Sequence, residues 1–132
     1  AVGDMAELRT RIIALLQRDA ELREVASLLG VEEMEDRDRL ALAIASLVRE
    51  HVLGQNAFDP NDAMSSLAKT RDLASGALSA LDVATAALAH NRGLDELPLD
   101  AVRRAIAALR RADPDGYAAC HAEVLATIQR LA

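Results

Sequence analysis

The sequence predicts an all-α fold, a bundle of five to six helices with an N-terminal helix-turn-helix prong. Three observations support this prediction. Apolar residues recur at helical spacing through most of the chain, and the hydrophobic fraction of 52% consists mainly of Ala and Leu. No segment alternates with period two for long enough to be a strand. Phe58 and Tyr117 are the only aromatic residues, so we expect an aliphatic core.

The first predicted helix runs from about Asp4 to Arg18, because Asp4 and Glu7 have capping-box spacing and apolar residues follow at helical intervals. We expect it to continue or bend into a second helix that ends at Gly30, a residue suited to a left-handed stop. The second helix has an apolar face that comprises Leu22, Val25, Ala26 and Leu29.

The third predicted helix begins after an acidic turn and ends at Gly54. Asp36 or Asp38 can cap its start, since both side chains can accept a hydrogen bond from a free backbone N–H. Its stripe comprises Leu40, Ile44, Leu47 and Val48. Together these helices predict the prong.

A loop from Gln55 to Pro60 breaks the helical pattern, and Asn61 or Asp62 is the expected cap of a fourth helix. That helix should run to about Ala89 and stop by Gly93. Its expected inward seam comprises Leu67, Ala74, Leu78, Leu81, Thr85 and Leu88, with many Ala residues that permit close helix contact.

Two further helices follow. Pro98 and Asp100 open the fifth, and the step Asp113-Pro114 opens the sixth. Their predicted core residues are Val102, Ile106 and Leu109 in the fifth helix, and Tyr117, His121, Val124, Ile128 and Leu131 in the sixth.

The length of 132 residues fits one domain, so residues 1–132 are predicted to form a single helical domain. The first three residues resemble a vector remnant or a domain cut, although removal of an initiator Met would look similar. Neither a signal peptide nor a run of about 20 apolar residues is evident, so we expect a cytoplasmic protein without membrane insertion.

The formal net charge of -6 disfavours a surface that neutralises phosphates, and nucleic acid is therefore not an expected partner. The sequence also lacks GxxxxGK[ST], GxGxxG, HExxH and CxxC spacings, so we expect no catalytic residue and no metal site. Cys120 and His121 are neighbours on one helix and point about 100° apart, a poor arrangement for a dyad. A distant alternative is an enzyme built on Cys120 and the histidines.

The remaining histidines have ordinary structural explanations. His121 lies on an apolar seam, which is typical of a hydrogen-bonded core histidine. His51 and His90 lie near predicted helix ends, where a partly charged imidazole can favour the C-terminal end of the helix dipole.

Two features leave alternatives open. The acidic turn, residues 32–39, is either a solvated turn with helix caps or a surface for a partner. Phe58, a lone aromatic in a polar loop, is either a plug over the end of the bundle or part of a binding site.

The chain resembles the C-terminal domain of the catalytic A (alpha) chain of V-type ATP synthases. Residues 6–31 carry this resemblance through Glu7-Leu8-Arg9, Leu15-Leu16-Gln17-Arg18-Asp19-Ala20-Glu21-Leu22 and Leu28-Leu29-Gly30. Residues 36–59 carry it through Asp38-Arg39-Leu40, Val48-Arg49-Glu50 and Gln55-Asn56-Ala57-Phe58-Asp59. Beyond Asp62 the family's Tyr-Cys-Ser step is replaced by Ala63-Met64-Ser65, while Leu97-Pro98 and Val102-Arg103 look like its penultimate helix.

This resemblance implies a bundle that follows a nucleotide-binding domain, which would supply the P-loop, the magnesium ligands and the catalytic carboxylate for ATP or ADP. It implies that Phe58 forms a wall of the adenine pocket. It also implies that the acidic turn contacts the central stalk and passes force to the rotor, through Glu32, Glu33, Glu35, Asp36 and Asp38. The implied partners are the nucleotide-binding domain, the B subunits and the central stalk, in a soluble head peripheral to the membrane.

Within the same superfamily, a catalytic beta chain of the F-type enzyme fits less well because of the loop with Phe58. The alternative from another class is a free-standing helical interaction module, for which aliphatic seams and an acidic surface are equally suitable. The resemblance implies that the chain alone does not hydrolyse ATP.

Overall fold

The structure, a computed structural model, describes residues 5–53 and 67–132. In these ranges the chain forms five α-helices and no strand, which confirms the predicted all-α bundle. The helices are α1 (Met5–Leu29), α2 (Asp36–Leu47), α3 (Leu67–Ala89), α4 (Leu99–Arg111) and α5 (Tyr117–Gln129). The predicted loop from Gln55 to Pro60, and the caps Asn61 and Asp62, lie outside the described residues.

Helix α1 is one continuous helix, so of the two predicted alternatives beyond Arg18 it continues and does not divide into two helices. Its buried side chains are Leu8, Ile12, Leu15 and Asp19. Gly30 ends it as predicted, with φ of 88° and a backbone N–H that donates to the carbonyl of Ala26 at 2.8 Å. A positive φ of this size is readily adopted by Gly because it has no Cβ.

The predicted apolar face of the second helix does not pack on the core. Val25 is 40% exposed and Leu29 is 61% exposed, while Leu22 and Ala26 are only partly buried. The helical spacing is present, but no described element covers this part of α1.

Helix α2 packs against α1 and α3, and it contributes Leu40, Ala41, Ile44 and Ala45 to the core. After Leu47 the chain continues as a π-helical segment, Val48–Leu53. Glu35 occupies the N-cap position of α2 without a side-chain hydrogen bond, so the expectation that Asp36 or Asp38 caps this helix is wrong. The Asp36 carboxylate instead accepts a hydrogen bond from the backbone N–H of Leu94 at 3.0 Å.

Helix α3 is the central helix, because it contacts each of the other four helices. Of the described helices, only the span Ala68–Ala89 is long and apolar enough to cross a membrane, contrary to our expectation that no such segment exists. Its contacts with the other four helices indicate that this span is the core helix of the bundle. Its core face is rich in Ala, as predicted, and includes Leu73, Ala74, Ala77, Leu78, Ala80, Ala84 and Ala87. Of the predicted seam, Ala74 and Leu78 are buried, whereas Leu81, Thr85 and Leu88 are only partly buried.

Helix α3 ends at Ala89, as predicted, but Gly93 is not the residue that stops it. Asn91, not Gly93, adopts the positive φ, at 66°. The backbone N–H groups of Asn91 and Arg92 donate to carbonyls of the last turn at 3.2 and 3.3 Å, the bonding pattern with which many helices end. Asn tolerates this conformation better than most residues, so Asn91 can end the helix in place of the expected glycine.

Helices α4 and α5 form the rest of the core, and the predicted residues Val102, Ile106 and Leu109 are fully buried. Of the residues predicted for the last helix, Val124, Ile128 and Leu131 are buried, whereas Tyr117 and His121 are only partly buried. Helix α5 starts at Tyr117, three residues after Pro114, because the backbone N–H of Gly116 donates first to the Asp113 side chain at 2.8 Å. Buried Lys69 of α3 donates to the carbonyl of Ala112 at 3.0 Å, which satisfies an acceptor at the end of α4.

Helices α3 and α5 approach closely at Gly76. A Cβ atom at this position would lie 3.2 Å from Cγ1 of Val124. The hydroxyl of Tyr117 also donates a hydrogen bond to the carboxylate of Asp72 on α3. Burial of Tyr117, followed by this hydrogen bond, raises the pKa of its phenol well above the ordinary value.

Candidate functional site

The acidic turn lies at the surface of the bundle, where Glu35 and Asp36 line a depression together with Leu88 and Arg92 near the end of α3. Glu32, Glu33 and Glu35 are exposed, and none of them forms an ion pair with another described residue. Met34, by contrast, is only 9% exposed and anchors the turn against the protein. Three carboxylates are therefore available to a partner on a turn whose backbone is held by a buried side chain.

The other two predicted contact residues are already engaged within the chain. Asp36 pairs with Arg39 at 3.3 Å in addition to its bond with the backbone of Leu94. Asp38 pairs with Arg18 of α1 at 2.9 Å. The five predicted carboxylates thus divide into three that are free and two that hold the turn to its neighbours.

A buried carboxylate, Asp19, connects the two helices that carry this turn. Asp19 is 1% exposed, and its Oδ2 atom pairs with Arg49 in the π-helical segment and with Nε of Arg23 at 3.0 Å. Its Oδ1 atom has no hydrogen-bond partner among the described residues. A carboxylate buried to this degree needs cationic partners, because an unpaired buried charge is strongly destabilising.

Two consecutive residues of α1, Arg18 and Asp19, form ion pairs with residues at opposite ends of α2. Arg18 reaches Asp38 in the first turn of α2, whereas Asp19 reaches Arg49 beyond its last turn. Asp19 is also the last buried residue of α1, so residues 20–29, about 15 Å of helix, extend without a fully buried side chain. Together with buried Met34 and the hydrogen bond from Leu94 to Asp36, these two ion pairs position the acidic turn.

Sequence reasoning missed Asp19 as a key residue, although a signal was present. Leu8, Ile12, Leu15 and Asp19 follow the rhythm of one helix face, and all four are buried. A charged residue at a position where the helical spacing predicts an apolar side chain indicates a buried ion pair. The identity of Arg49 as its partner could not be read from the pattern.

The described residues show no arrangement typical of catalysis. No group of His, Cys, Asp and Glu among them could hold a metal ion. His121 is half-buried and stacks on Tyr117 with ring centroids 6.0 Å apart, so its ring is packed against an aromatic neighbour. Phe58, the predicted adenine-pocket residue, lies outside the described residues.

The surroundings of His51 disfavour the partial charge that was expected at a helix end. Burial is the main reason why its pKa is lowered from 6.5. Glu50 opposes this change and Arg110 adds to it. The neutral imidazole is therefore the favoured form at neutral pH.

The family model for the C-terminal domain of V and A type ATP synthase matches residues 2–93. The matched range contains α1, the acidic turn, α2 and α3. The chain belongs to this family. The match extends past Asp62, where the sequence departs from the family's expected Tyr-Cys-Ser step, and it ends before the segment from Leu97 to Arg103.

The curated relatives of this V/A-type domain include V-type ATP synthase alpha chains from Streptococcus pyogenes serotypes M5 and M3. Each is 36% identical over 88 residues, which cover 67% of this chain and 15% of the relative. The matched region is thus a small part of each of these larger alpha chains.

The ion pair between Asp19 and Arg49 yields a prediction about stability. Arg49→Met should lower the free energy of unfolding by about 2 kcal/mol, less than the roughly 3–5 kcal/mol of a fully broken buried pair, because Arg23 still partners Asp19. Combining it with Asp19→Leu should recover most of this loss, since no buried charge then remains. Urea unfolding followed by circular dichroism measures both values.

Arg23→Met is the matched control, because the Arg23 side chain is 58% exposed and should contribute less than about 1 kcal/mol. An Arg49→Met variant as stable as the native chain would contradict the assignment.

Proposed function

We propose that this domain works as a lever between the nucleotide-binding part of a V/A-type A chain and the central stalk. The observation that carries the proposal is the contrast within the hairpin of α1 and α2. Glu32, Glu33 and Glu35 are free in the turn between the two helices, while Asp19 of α1 pairs with Arg49 just beyond the end of α2. Free carboxylates can contact a partner, and helices held together by ion pairs can transmit the resulting force to the bundle.

The hairpin can transmit force because its helices pack against the rest of the bundle. Packed helices move as rigid bodies with little internal bending, so a push at the acidic turn reaches the bundle. Ion pairs from Arg18 and Asp19 oppose sliding of α1 along α2. In this proposal Glu32, Glu33 and Glu35 meet the stalk directly, whereas Asp36 and Asp38 hold the turn in position.

The proposal includes a nucleotide role that rests on family membership. In the complete chain a preceding domain would bind ATP or ADP with Mg²⁺, and Phe58 would stack on the adenine ring. Phe58 follows the π-helical segment in sequence by a few residues, so nucleotide binding and the hairpin would meet through α2. The chain alone would not hydrolyse ATP.

The remaining parts of the proposal concern the assembly. The partners would be the nucleotide-binding domain of the same A chain, the B subunits and the central stalk. The domain would lie in the soluble head, on the cytoplasmic side and peripheral to the membrane. Membrane subunits would carry the transported proton or sodium ion.

The force-transfer role yields a test in a reconstituted rotary complex. Replacing Glu32, Glu33 and Glu35 by Ala should lower the torque measured in single-molecule rotation, because the contact loses its charges. The same change should alter the free energy of unfolding by less than about 0.5 kcal/mol, since these side chains make no ion pair within the described residues.

The matched control replaces two exposed carboxylates elsewhere, Asp115 and Glu123, by Ala. An equal loss of torque in this control, or full torque in the variant with the three Glu residues replaced, would remove the acidic turn from the rotor contact.

The adenine-pocket role is tested separately. In the complete enzyme Phe58→Ala should raise the nucleotide concentration for half-maximal turnover by about fivefold, because stacking of an aromatic ring contributes roughly 1 kcal/mol. Phe58→Tyr retains the ring and should stay close to the native value. If both variants show the native nucleotide dependence, Phe58 is not part of the pocket.

A further inference from the structure

Four large apolar side chains are exposed together on the distal end of α1 and in the residue after Gly30. Leu28 is 84% exposed and Leu29 is 61% exposed, and Val25 and Val31 are 40% and 47% exposed. We call these four residues the apolar patch. The other large apolar side chains exposed in the described ranges, Ile13, Leu53 and Leu125, are far apart in sequence. Isolated exposed apolar residues are ordinary, but a cluster indicates an interaction surface.

The apolar patch is bordered by carboxylates that have no internal partner. Glu21, Glu24, Val25 and Leu28 follow helical spacing and line one shallow depression together with Ser27. Glu32 and Glu33 follow Val31 directly. None of these four Glu residues forms an ion pair with another described residue, whereas nearby Arg23 is taken by Asp19.

We infer that the apolar patch is the centre of the contact with the central stalk, and that the partner surface there is an apolar recess flanked by Lys or Arg. This inference rests on the proposed function and deepens it. Apolar burial supplies most of the affinity in such a contact, whereas the surrounding charges set orientation and association rate.

The charges at the border decide between possible occupants. A second copy of this chain would place the same unpaired carboxylates opposite one another, and like charges across a contact disfavour it. An anionic lipid surface is disfavoured for the same reason. A partner surface with an apolar recess between basic residues can pair with the carboxylates and bury Leu28 and Leu29 at the same time.

The test is an NMR titration of this chain, with labelled Leu and Val methyl groups, against the isolated central-stalk subunit of the same rotary ATPase. The methyl signals of Val25, Leu28, Leu29 and Val31 should shift. Leu28→Ser should raise the dissociation constant about tenfold, because a buried leucine side chain is lost from the contact. The fold should be unaffected, since Leu28 is 84% exposed.

Ile13→Ser is the matched control, because Ile13 is 49% exposed and lies on the same helix about 22 Å from Leu28. It should change the dissociation constant by less than about twofold. Replacing Glu21 and Glu24 by Gln should weaken binding at low salt, and the effect should fade at high salt, while the Leu28→Ser effect persists.

The remaining outcomes separate the two proposals. If calorimetry shows that the stalk subunit binds while the four patch methyl signals do not shift, or if Leu28→Ser keeps the native affinity, this inference is overturned and the proposed stalk contact stands. Absence of any binding overturns the proposed function itself. If the methyl signals of the apolar patch shift when this chain is concentrated without the stalk subunit, a second copy of the chain is the occupant, and the inferred partner is overturned.

Discussion

Asp19 is the last residue of α1 whose side chain is buried, and its carboxylate lies between the guanidinium groups of Arg23 and Arg49. A carboxylate at 1% exposure is tolerated only when cations accompany it. Arg49 therefore has to stay against α1, and the π-helical segment that carries it is tied to the hairpin. Residues 20–29, none of which is buried, extend from this point.

The pairing of Asp19 with Arg23 and Arg49 marks the point where α1 changes from a buried helix to an exposed one. Up to Leu15 the buried face of α1 is aliphatic, and Arg11 adds a paired contact to Asp82 of α3 at 2.7 Å. Beyond Asp19 the helix offers apolar residues and unpaired carboxylates to solvent. An extension of this kind is unfavourable for an isolated protein and suited to a component of an assembly, in agreement with the V/A-type ATP synthase family.

The sequence predicted the fold class and most core positions because the apolar rhythm of α2, α4 and α5 is a local property. It could not show that Val25 and Leu29 remain exposed, since a helical stripe does not reveal whether another element covers it. Asp36 illustrates the same limit. Its expected role as a cap was wrong because Leu94, far away in sequence, supplies the donor instead.

The candidate site was predictable to a similar degree. The acidic turn stood out by composition, but the division between free and engaged carboxylates depends on Arg18 and Arg39, whose reach no spacing rule reveals. Asp19 could have been found, because it interrupts the apolar stripe of α1. The adenine-pocket assignment of Phe58 stays a prediction.

The central claim is that the distal end of α1 is held rigidly relative to the bundle. Paramagnetic distance measurements between nitroxide labels test it directly, with Ser27→Cys and Ala86→Cys in a Cys120→Ala background. The account predicts one narrow distance distribution, as narrow as that of a control pair within the bundle, Ala86→Cys with Arg104→Cys. A broad or two-peaked distribution for the first pair alone would contradict it.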